Sequence, residues 1–378
     1  MKTLSSTFLP VKTIASISES HMLRICLSLT LVLLAIFGLH LSINAQTPND
    51  IDGYTPSEAT SWRITISESD YNNGISFQAS AQWMTVNLLK FNSTPGGYNA
   101  QFNIAANPDG AVRTGSFSYQ IVGEPRRSVS VLQAGKASVT TPGSYTEGTA
   151  APDSIAVIFG ASLSASTADS NSTPLPTTLN NTVAKIFKAS GQFVADAELF
   201  FVSPGQINFH IPPNQTDGNY YVKVNNTGAN SNVAMSKFTI AQIFPDVFWA
   251  SYAADPPPAM LILRVGQNGT QTYETPLLDA QGNQLPIEVN RPGETVYFII
   301  YGTGMRNGIN LSQCSAELRT GTTVTNLPLQ YVGPQGGYVG EDQVNLQIPP
   351  SLAGRGKTSL RLLINGTDFS NATFLNFQ

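Results

Sequence analysis

Beyond residue 59 the apolar side chains recur at every second position, and that period of two predicts strands with one buried and one wetted face. Between residues 62 and 133 the runs read WRITIS, GISFQAS, QWMTVNLL, YNAQFNIAAN, GSFSYQIV and RSVSVLQ. Phe102 alternates with Ile104, Phe117 with Tyr119 and Ile121, and Val129 with Val131. Turn chemistry separates the runs: Asn72-Asn73-Gly74, Pro95-Gly96-Gly97 and Asn107-Pro108-Asp109-Gly110. Short strands at this spacing predict a β-sandwich over residues 59–136. Within it, Trp83 is expected to fill the space between two sheets, with Arg113 just past the Asn107–Gly110 turn.

A second pattern is a repeat. After a Thr-, Pro- and Gly-rich stretch over residues 137–148, expected to be a linker, residues 206–213 read QINFHIPP and residues 343–350 read QVNLQIPP. Upstream, VIFG at 157–160 matches IIYG at 299–302; downstream, Asn226 with Ser231-Asn232 matches Asn365 with Ser370-Asn371. Three blocks in one order predict an internal duplication. Each strand stops at a Pro-Pro pair, which cannot donate to a ladder. Ile207, Phe209 and Ile211 should face inward, as should Val344, Leu346 and Ile348, leaving Asn208 and His210, or Asn345 and Gln347, outside. The expected fold is therefore all-β: three immunoglobulin-like β-sandwich domains in tandem, the last two an internal duplication. The copies span 149–242 and 291–378. A bridging segment, 243–290, joins them through Pro256-Pro257-Pro258 and a hairpin at Gln267-Asn268-Gly269.

The amino-terminal end follows another logic. Residues 25–41 (ICLSLTLVLLAIFGLHL) form an apolar run behind Lys2, Lys12 and Arg24, and small residues lead to Ala45. Residues 1–45 thus read as a secretory signal peptide cut after Ala45, followed by a linker over 46–58. The run is long for a signal, so the alternative is a membrane anchor over residues 25–41. A start at Met22 would give a signal of more ordinary length. Removing Lys2, Lys12, Arg24 and Glu19 shifts the net charge from −4 to −6 and leaves Cys314 as a lone thiol, so no internal disulfide is expected. Cys314 is expected to be a small buried hydrophobe.

Composition narrows the function. Charged residues make up 12% of the 378, against about 25% in ordinary domains, and the acidic balance argues against a nucleic-acid partner. His210 is the one histidine past the signal, which leaves little for a Ser-His-Asp triad or a His/Cys zinc site. No catalytic residue, metal ligand or cofactor is assigned, and the chain is not expected to be an enzyme. Two carboxylate pairs, Asp196 with Glu198 and Glu341 with Asp342, keep a glycosidase-like hydrolase as a remote alternative. Oxygen-rich stretches at Asp169–Asn171 and Asp279–Gly282 read as turns before they read as calcium loops.

Two resemblances follow from these residues. The QWMTV strand with Trp83, the IAANPDG-AVRTGSF stretch carrying Asn107, Arg113 and Gly115, and the closing Gln133-Ala134-Gly135 resemble the BACON family. These are small immunoglobulin-like domains of secreted bacterial proteins, linked with carbohydrate or mucin adhesion. From about residue 150 to 378 the chain resembles the uncharacterised C-terminal domain of large secreted acidobacterial (Solibacter-type) proteins. The motifs are SPGQINF-x-IPP at 203–213, Arg291-Pro-Gly-Glu294, Tyr301-Gly-Thr-Gly304, Tyr331-Val-Gly333 and Gly340–Asn345. That family carries no activity to transfer.

Four aromatics fall outside the alternating core pattern: Tyr71, Tyr98, Trp249 and Tyr252. Flat rings beside Asn and Asp can stack on a sugar, so these four are the candidate ligand-binding residues, unless they only pack neighbouring elements. The expected function is non-catalytic binding or adhesion, secreted or on the outer cell surface. Extracellular polysaccharide or glycoprotein is the expected partner. The alternative is a structural spacer or assembly module with no ligand site.

Overall fold

The computed structural model describes residues 51–72, 74–91, 97–123 and 125–378. The expected signal or anchor, and the linker up to residue 50, lie outside the described residues. Among the described residues no helix is long and apolar enough to cross a membrane. The chain is all-β and multi-domain, with several sandwich-like arrangements of sheets.

The first unit holds β1 (Thr60–Ser67), β2 (Ile75–Ala79), β3 (Met84–Phe91), β4 (Gly97–Ile104), β5 (Arg113–Ile121) and β6 (Arg127–Gln133), with a short helix α1 (Glu68–Asn72). They form two antiparallel sheets, ordered β1-β4-β3 and β2-β5-β6. Trp62 stacks on Phe102 at 5.1 Å, and Phe117 meets both rings edge-on at 5.0 Å. Trp83 also lies between the sheets: its half-buried indole packs on this core, with the Arg113 guanidinium of the facing sheet 4.3 Å from the ring and Gly115 of that sheet against its edge. Met84, at the start of β3, is buried beside it and approaches the same glycine. The β6 pattern departs from expectation: Val131 is buried, but Val129 is 56% exposed.

The second unit comprises β7 (Gly135–Thr140), β8 (Thr149–Ala150), β9 (Ile155–Gly160), β10 (Ala168–Asp169), β11 (Thr182–Lys188), β12 (Phe193–Asp196), β13 (Leu199–Val202), β14 (Gln206–His210), β15 (Gly218–Asn226) and β16 (Asn232–Ile240). Their order is β10-β13-β14-β9-β7-β16-β15-β11-β12. Strand β7 pairs parallel to β16 at Gly135 and Lys136, then antiparallel to β9 from Ala137 to Thr140, so one strand serves both layers. The first four residues of the expected linker are therefore sheet, because Ala137 and Val139 enter the core.

The third unit comprises β17 (Asp246–Val247), β18 (Met260–Gly266), β19 (Gln271–Glu274), β20 (Glu294–Thr303), β21 (Ser315–Thr320), β22 (Thr323–Pro334), β23 (Asp342–Ile348), β24 (Gly356–Ile364), β25 (Asp368–Phe369) and β26 (Thr373–Phe377). Here β22 crosses between layers, pairing first with β21 and then with β23. The expected bridge is built into this unit. Strand β18 lies between β19 and β20, and Val247, Met260, Ile262, Ile287 and Val289 join the core that holds buried Cys314. Its hairpin forms at the expected place, with Gly269 at φ 81°.

The repeated phrases occupy equivalent positions. Gln206, Ile207 and Asn208 pair with Phe159, Ile158 and Val157, while Gln343, Val344 and Asn345 pair with Tyr301, Ile300 and Ile299. On the other edge the register slips between Leu199 and Phe201 in one unit and between Leu329 and Tyr331 in the other, a bulge at the same place. The architecture is repeat-like down to its irregularities. One position breaks the inside–outside rule: His210 is buried rather than wetted.

Candidate functional site

The residues with the most unusual chemistry gather where the second and third units meet. After β7 the chain turns back over residues 141–146, and this turn is clamped by a carboxylate from the third unit. Asp246 accepts hydrogen bonds from the backbone N–H of Gly143 (2.5 Å) and Ser144 (3.0 Å) and from the Ser144 hydroxyl (2.6 Å). A Cβ at Gly143 would lie 2.3 Å from the Val247 carbonyl oxygen, and one at Gly302 would lie 2.4 Å from that of Asp246. Residues 246 and 247 therefore pass between two backbones, an approach that only glycine permits. Burial pushes the Asp246 carboxyl up, against the pull of those donors.

The clamped turn presents Tyr145 in the left-handed region, at φ 55°. Its hydroxyl lies 2.8 Å from that of Tyr252, and the two rings are nearly parallel at 6.4 Å between centroids. Trp249 is edge-on to both, 6.3 Å from each, and Phe159 closes the far side of Tyr145 at 5.7 Å. Tyr252 is 80% exposed, whereas Tyr145 and Trp249 are half-buried. Burial, then the hydrogen bond to Tyr252, pushes the Tyr145 phenol up to about 12, so the Tyr145 hydroxyl keeps its proton at neutral pH.

Two of the four candidate residues, Trp249 and Tyr252, thus come together, joined by Tyr145. The other two make a separate pair in the first unit. Tyr71 on α1 stacks on Tyr98 of β4 at 3.7 Å, and both pack on that unit's core. Tyr145 was not singled out because it lies in a stretch whose Thr, Pro and Gly content reads only as linker. The signal was an aromatic set inside a turn.

A chain of ions crosses the same junction. Arg306 donates from Nε to Asp342 (2.7 Å), from Nη1 to Asp153 (2.7 Å) and from Nη2 to the Glu341 carbonyl (2.7 Å). The second oxygen of Asp342 accepts from Met305 N–H at 2.7 Å. Beyond Asp153 sits His210, with Nε2 2.9 Å from Asp153 and Nδ1 3.0 Å from Glu198. Both imidazole nitrogens face carboxylates, which leaves neither for a serine hydroxyl. Asp342 is fully buried, and burial raises it to about 6 despite Arg306. Of the suggested acid pair Glu341 and Asp342, the Asp342 carboxylate is therefore sealed by Arg306, which meets Glu341 only at its backbone carbonyl. Asp196 and Glu198 turn to different partners, Lys185 at 4.0 Å and His210.

The oxygen-rich turn at Asp279 is internally satisfied. Its carboxylate accepts from the N–H of Gln281 and Asn283 at 2.9 Å each and from the Asn283 amide. Among the described residues no His, Cys, Asp and Glu side chains group as a metal would require. No family model matches the chain, and no curated protein matches it either.

Proposed function

We propose that the chain is an exported, non-catalytic binding or adhesion protein whose ligand is carbohydrate, on a polysaccharide or a glycoprotein. The observation that carries this reading is the Tyr145–Trp249–Tyr252 cluster, whose outermost ring is open to solvent and whose inner rings are fixed by the Asp246 clamp. Held rings offer the C–H face of a sugar a surface without loss of side-chain freedom on binding, and the paired phenols add hydrogen bonds at its rim. The likeness of residues 59–136 to BACON domains supports export and adhesion, and that of residues 150–378 to the acidobacterial family supports export, on the quoted motifs. We read the second and third units as immunoglobulin-like sandwiches related by duplication, because their registers and bulges coincide. The occupied nitrogens of His210 and the sealed Asp342 favour binding over hydrolysis.

The test is a glycan array probed with the purified exported chain and with its Tyr252→Ala variant. Removing an exposed ring should leave the melting temperature unchanged and weaken glycan retention at least tenfold, about 1.4 kcal/mol. Retention of no glycan above background would overturn the reading. It would favour the spacer, which the hydrogen-bonded junctions between units also suit.

A further inference from the structure

The third unit reverses the usual placement of charge. In the sheet formed by β19, β18, β20, β23 and the second half of β22, Met260, Ile262, Phe298, Ile300, Val344 and Leu346 point into the core. The residues between them form the outer face. Every charged side chain of these strands lies on the inner side. Arg264 is buried and pairs with Glu274 and Glu294, and Asp342 is buried as well. A half-wetted sheet ordinarily turns its charges outward.

The outer face presents rings and amides instead. Tyr273, Leu263 and Tyr297 stand on one line across β19, β18 and β20, and Leu261, Ile299, Asn345 and Tyr331 on the next. Tyr301 follows beside Gln343. With strands about 4.8 Å apart and about 3.3 Å per residue, Tyr273 and Tyr297 are rooted roughly 10 Å apart, and Tyr297 and Tyr301 roughly 13 Å. Tyr331 has a seat of its own. A Cβ at Gly333 would lie 2.9 Å from its hydroxyl, which donates to the Pro334 carbonyl at 2.7 Å, so the phenol lies along the strand in space that the glycine leaves. Tyr273 is 56% exposed and Tyr331 38%.

The amides are held in place but not used up. Gln343 Nε2 donates to Asn345 Oδ1 at 2.7 Å, and Gln330 Nε2 to Gln347 Oε1 at 3.0 Å. Gln343 Oε1, Asn345 Nδ2 and Gln347 Nε2 have no partner among the described residues. The repeat shows that the sheet does not need these rings. In the second unit the same register positions hold Ile155, Phe159 and Phe201 in place of Tyr297, Tyr301 and Tyr331. That face is capped by the unit's own turn: Tyr145 packs on Phe159 at 5.7 Å, and Thr140 and Val157 are buried. Each of the three positions gains a phenol in the copy whose face stays open to solvent.

We infer that this face of the third unit is a platform for an extended, neutral polysaccharide, with Tyr273, Tyr297 and Tyr331 as stacking rings and Gln343, Asn345 and Gln347 as the hydrogen-bonding row. The inference rests on the carbohydrate reading but not on the Tyr252 cluster. Rings spread this far address several sugar units of one chain rather than one, and amide donors and acceptors without partners match its hydroxyls. The charges argue for a neutral occupant. Arg264, Arg291 and Arg306, the cations on these strands and next to them in sequence, are each paired with carboxylates. Burial, then the nearby Glu341 and Tyr273, raises the Tyr301 phenol, so the charge felt at that end is an acid. A uronate or sulfate would find no counter-charge there for the water it loses.

Affinity electrophoresis of the full exported chain tests it, in native gels holding neutral galactomannan, xyloglucan or mixed-linkage β-glucan, or acidic alginate or polygalacturonate. Retardation is expected in at least one neutral gel and in neither acidic one. In the retarding gel, Tyr273→Ala and Tyr331→Ala should each weaken apparent affinity about tenfold, with Tyr252 intact and with Tyr252→Ala alike. Tyr331→Ala empties the space above Gly333 and can loosen the sheet. Gln347→Arg, at an exposed position that leaves every ring in place, must therefore give the same loss with an unchanged melting curve. Retardation that is lost with Tyr252→Ala yet unaffected by Tyr273→Ala, Tyr331→Ala and Gln347→Arg overturns the platform and leaves the cluster standing. Retardation lost with these three and unaffected by Tyr252→Ala keeps the platform and removes the cluster. Stronger retardation by the acidic gels overturns the platform. So does a sedimentation shift from dimer to monomer on Tyr273→Ala with retardation unchanged, which would make the face a contact between copies of the chain. No retardation in any gel removes both sites.

Discussion

Where the first unit meets the second, Asn232 Nδ2 donates to the carbonyls of Gly110 (2.7 Å) and Ala161 (3.0 Å), and its Oδ1 accepts from Val112 N–H (3.0 Å). Around it Ile51, Ala134, Phe187, Tyr221, Val233 and Met235 form a small apolar cluster, and Lys223 pairs with Asp52 at 2.9 Å. Where the second unit meets the third, the bonds run instead through Glu198, His210, Asp153, Arg306 and Asp342. The repeat sharpens the contrast. Asn371, the counterpart of Asn232, grips the backbone of Val247 with the same two-way bond, at 2.7 and 2.9 Å. One asparagine position thus grips a neighbouring backbone in both repeats, across the junction at Asn232 and inside the third unit at Asn371, where it holds the strand whose Asp246 clamps the second unit. Amide bonds to backbone hold at any moderate pH, whereas carboxylates and imidazole make a joint that responds to protons.

The largest effect should follow from breaking the ion chain at its centre. Arg306→Ala would strip the fully buried Asp342 carboxyl of its cation and leave Met305 N–H as its one remaining partner, and removing one member of a buried pair costs about 3–5 kcal/mol. Urea unfolding of the variant should show a loss of that size. Replacing both partners, Arg306→Met with Asp342→Leu, should recover much of it, because the penalty belongs to the stranded charge. A loss below 1 kcal/mol in the single variant would mean that the ions are incidental to the joint.

The asparagine at the first junction should give a smaller response. Asn232→Ala removes three hydrogen bonds and leaves Val112 N–H and the Gly110 carbonyl without that partner, a cost of about 1–3 kcal/mol. It should be the same at pH 5 and pH 8. The matched variant Asn371→Ala cuts two bonds and should fall at the lower end of that range. If Asn371→Ala costs more than Asn232→Ala, the two asparagines do not play matched parts in the repeat.

The comparison also marks what the sequence could convey. The repeated phrases were legible because alternation is local: Ile207, Phe209 and Val344, Leu346 declare their face within five residues. That Trp62 joins Trp83 between the sheets was not legible, since register alone decides which residue of an apolar run faces in. The length of the linker was misjudged because β7 is short and rich in small residues that also suit a loop. His210 reads as an outward polar residue until Glu198, 12 positions away, and Asp153, 57 positions away, fold onto its nitrogens. Arg306 is 153 positions from Asp153, so this site exists only in the assembled junction. Trp249 and Tyr252 could be picked out as rings without a strand to occupy, but their partner Tyr145 was hidden by a turn of glycine and proline.

The smallest effect is the one that separates the junctions by chemistry rather than by strength. The Asp342 carboxyl, raised to about 6 by burial, holds a proton in the folded chain that it releases on unfolding, where its value is about 3.9. Between those values the folded state binds more protons, so stability rises as pH falls through 6, by about 1 kcal/mol from pH 7 to pH 5. Asp246, also raised by burial, contributes with the same sign. Asp153 works the other way. Burial alone would raise it, but the hydrogen bonds and charges of His210 and Arg306 hold it below its usual value, so its contribution is lost only as pH falls through that lowered value. Calorimetric melting from pH 7 to pH 2 should therefore show stability climbing first and declining later. Asp342→Asn should lower the whole curve by setting an amide against Arg306, and flatten the climb while leaving the later decline. A variant that keeps the full climb would assign it to another carboxyl, and the proton response would no longer distinguish this junction from the one that Asn232 holds.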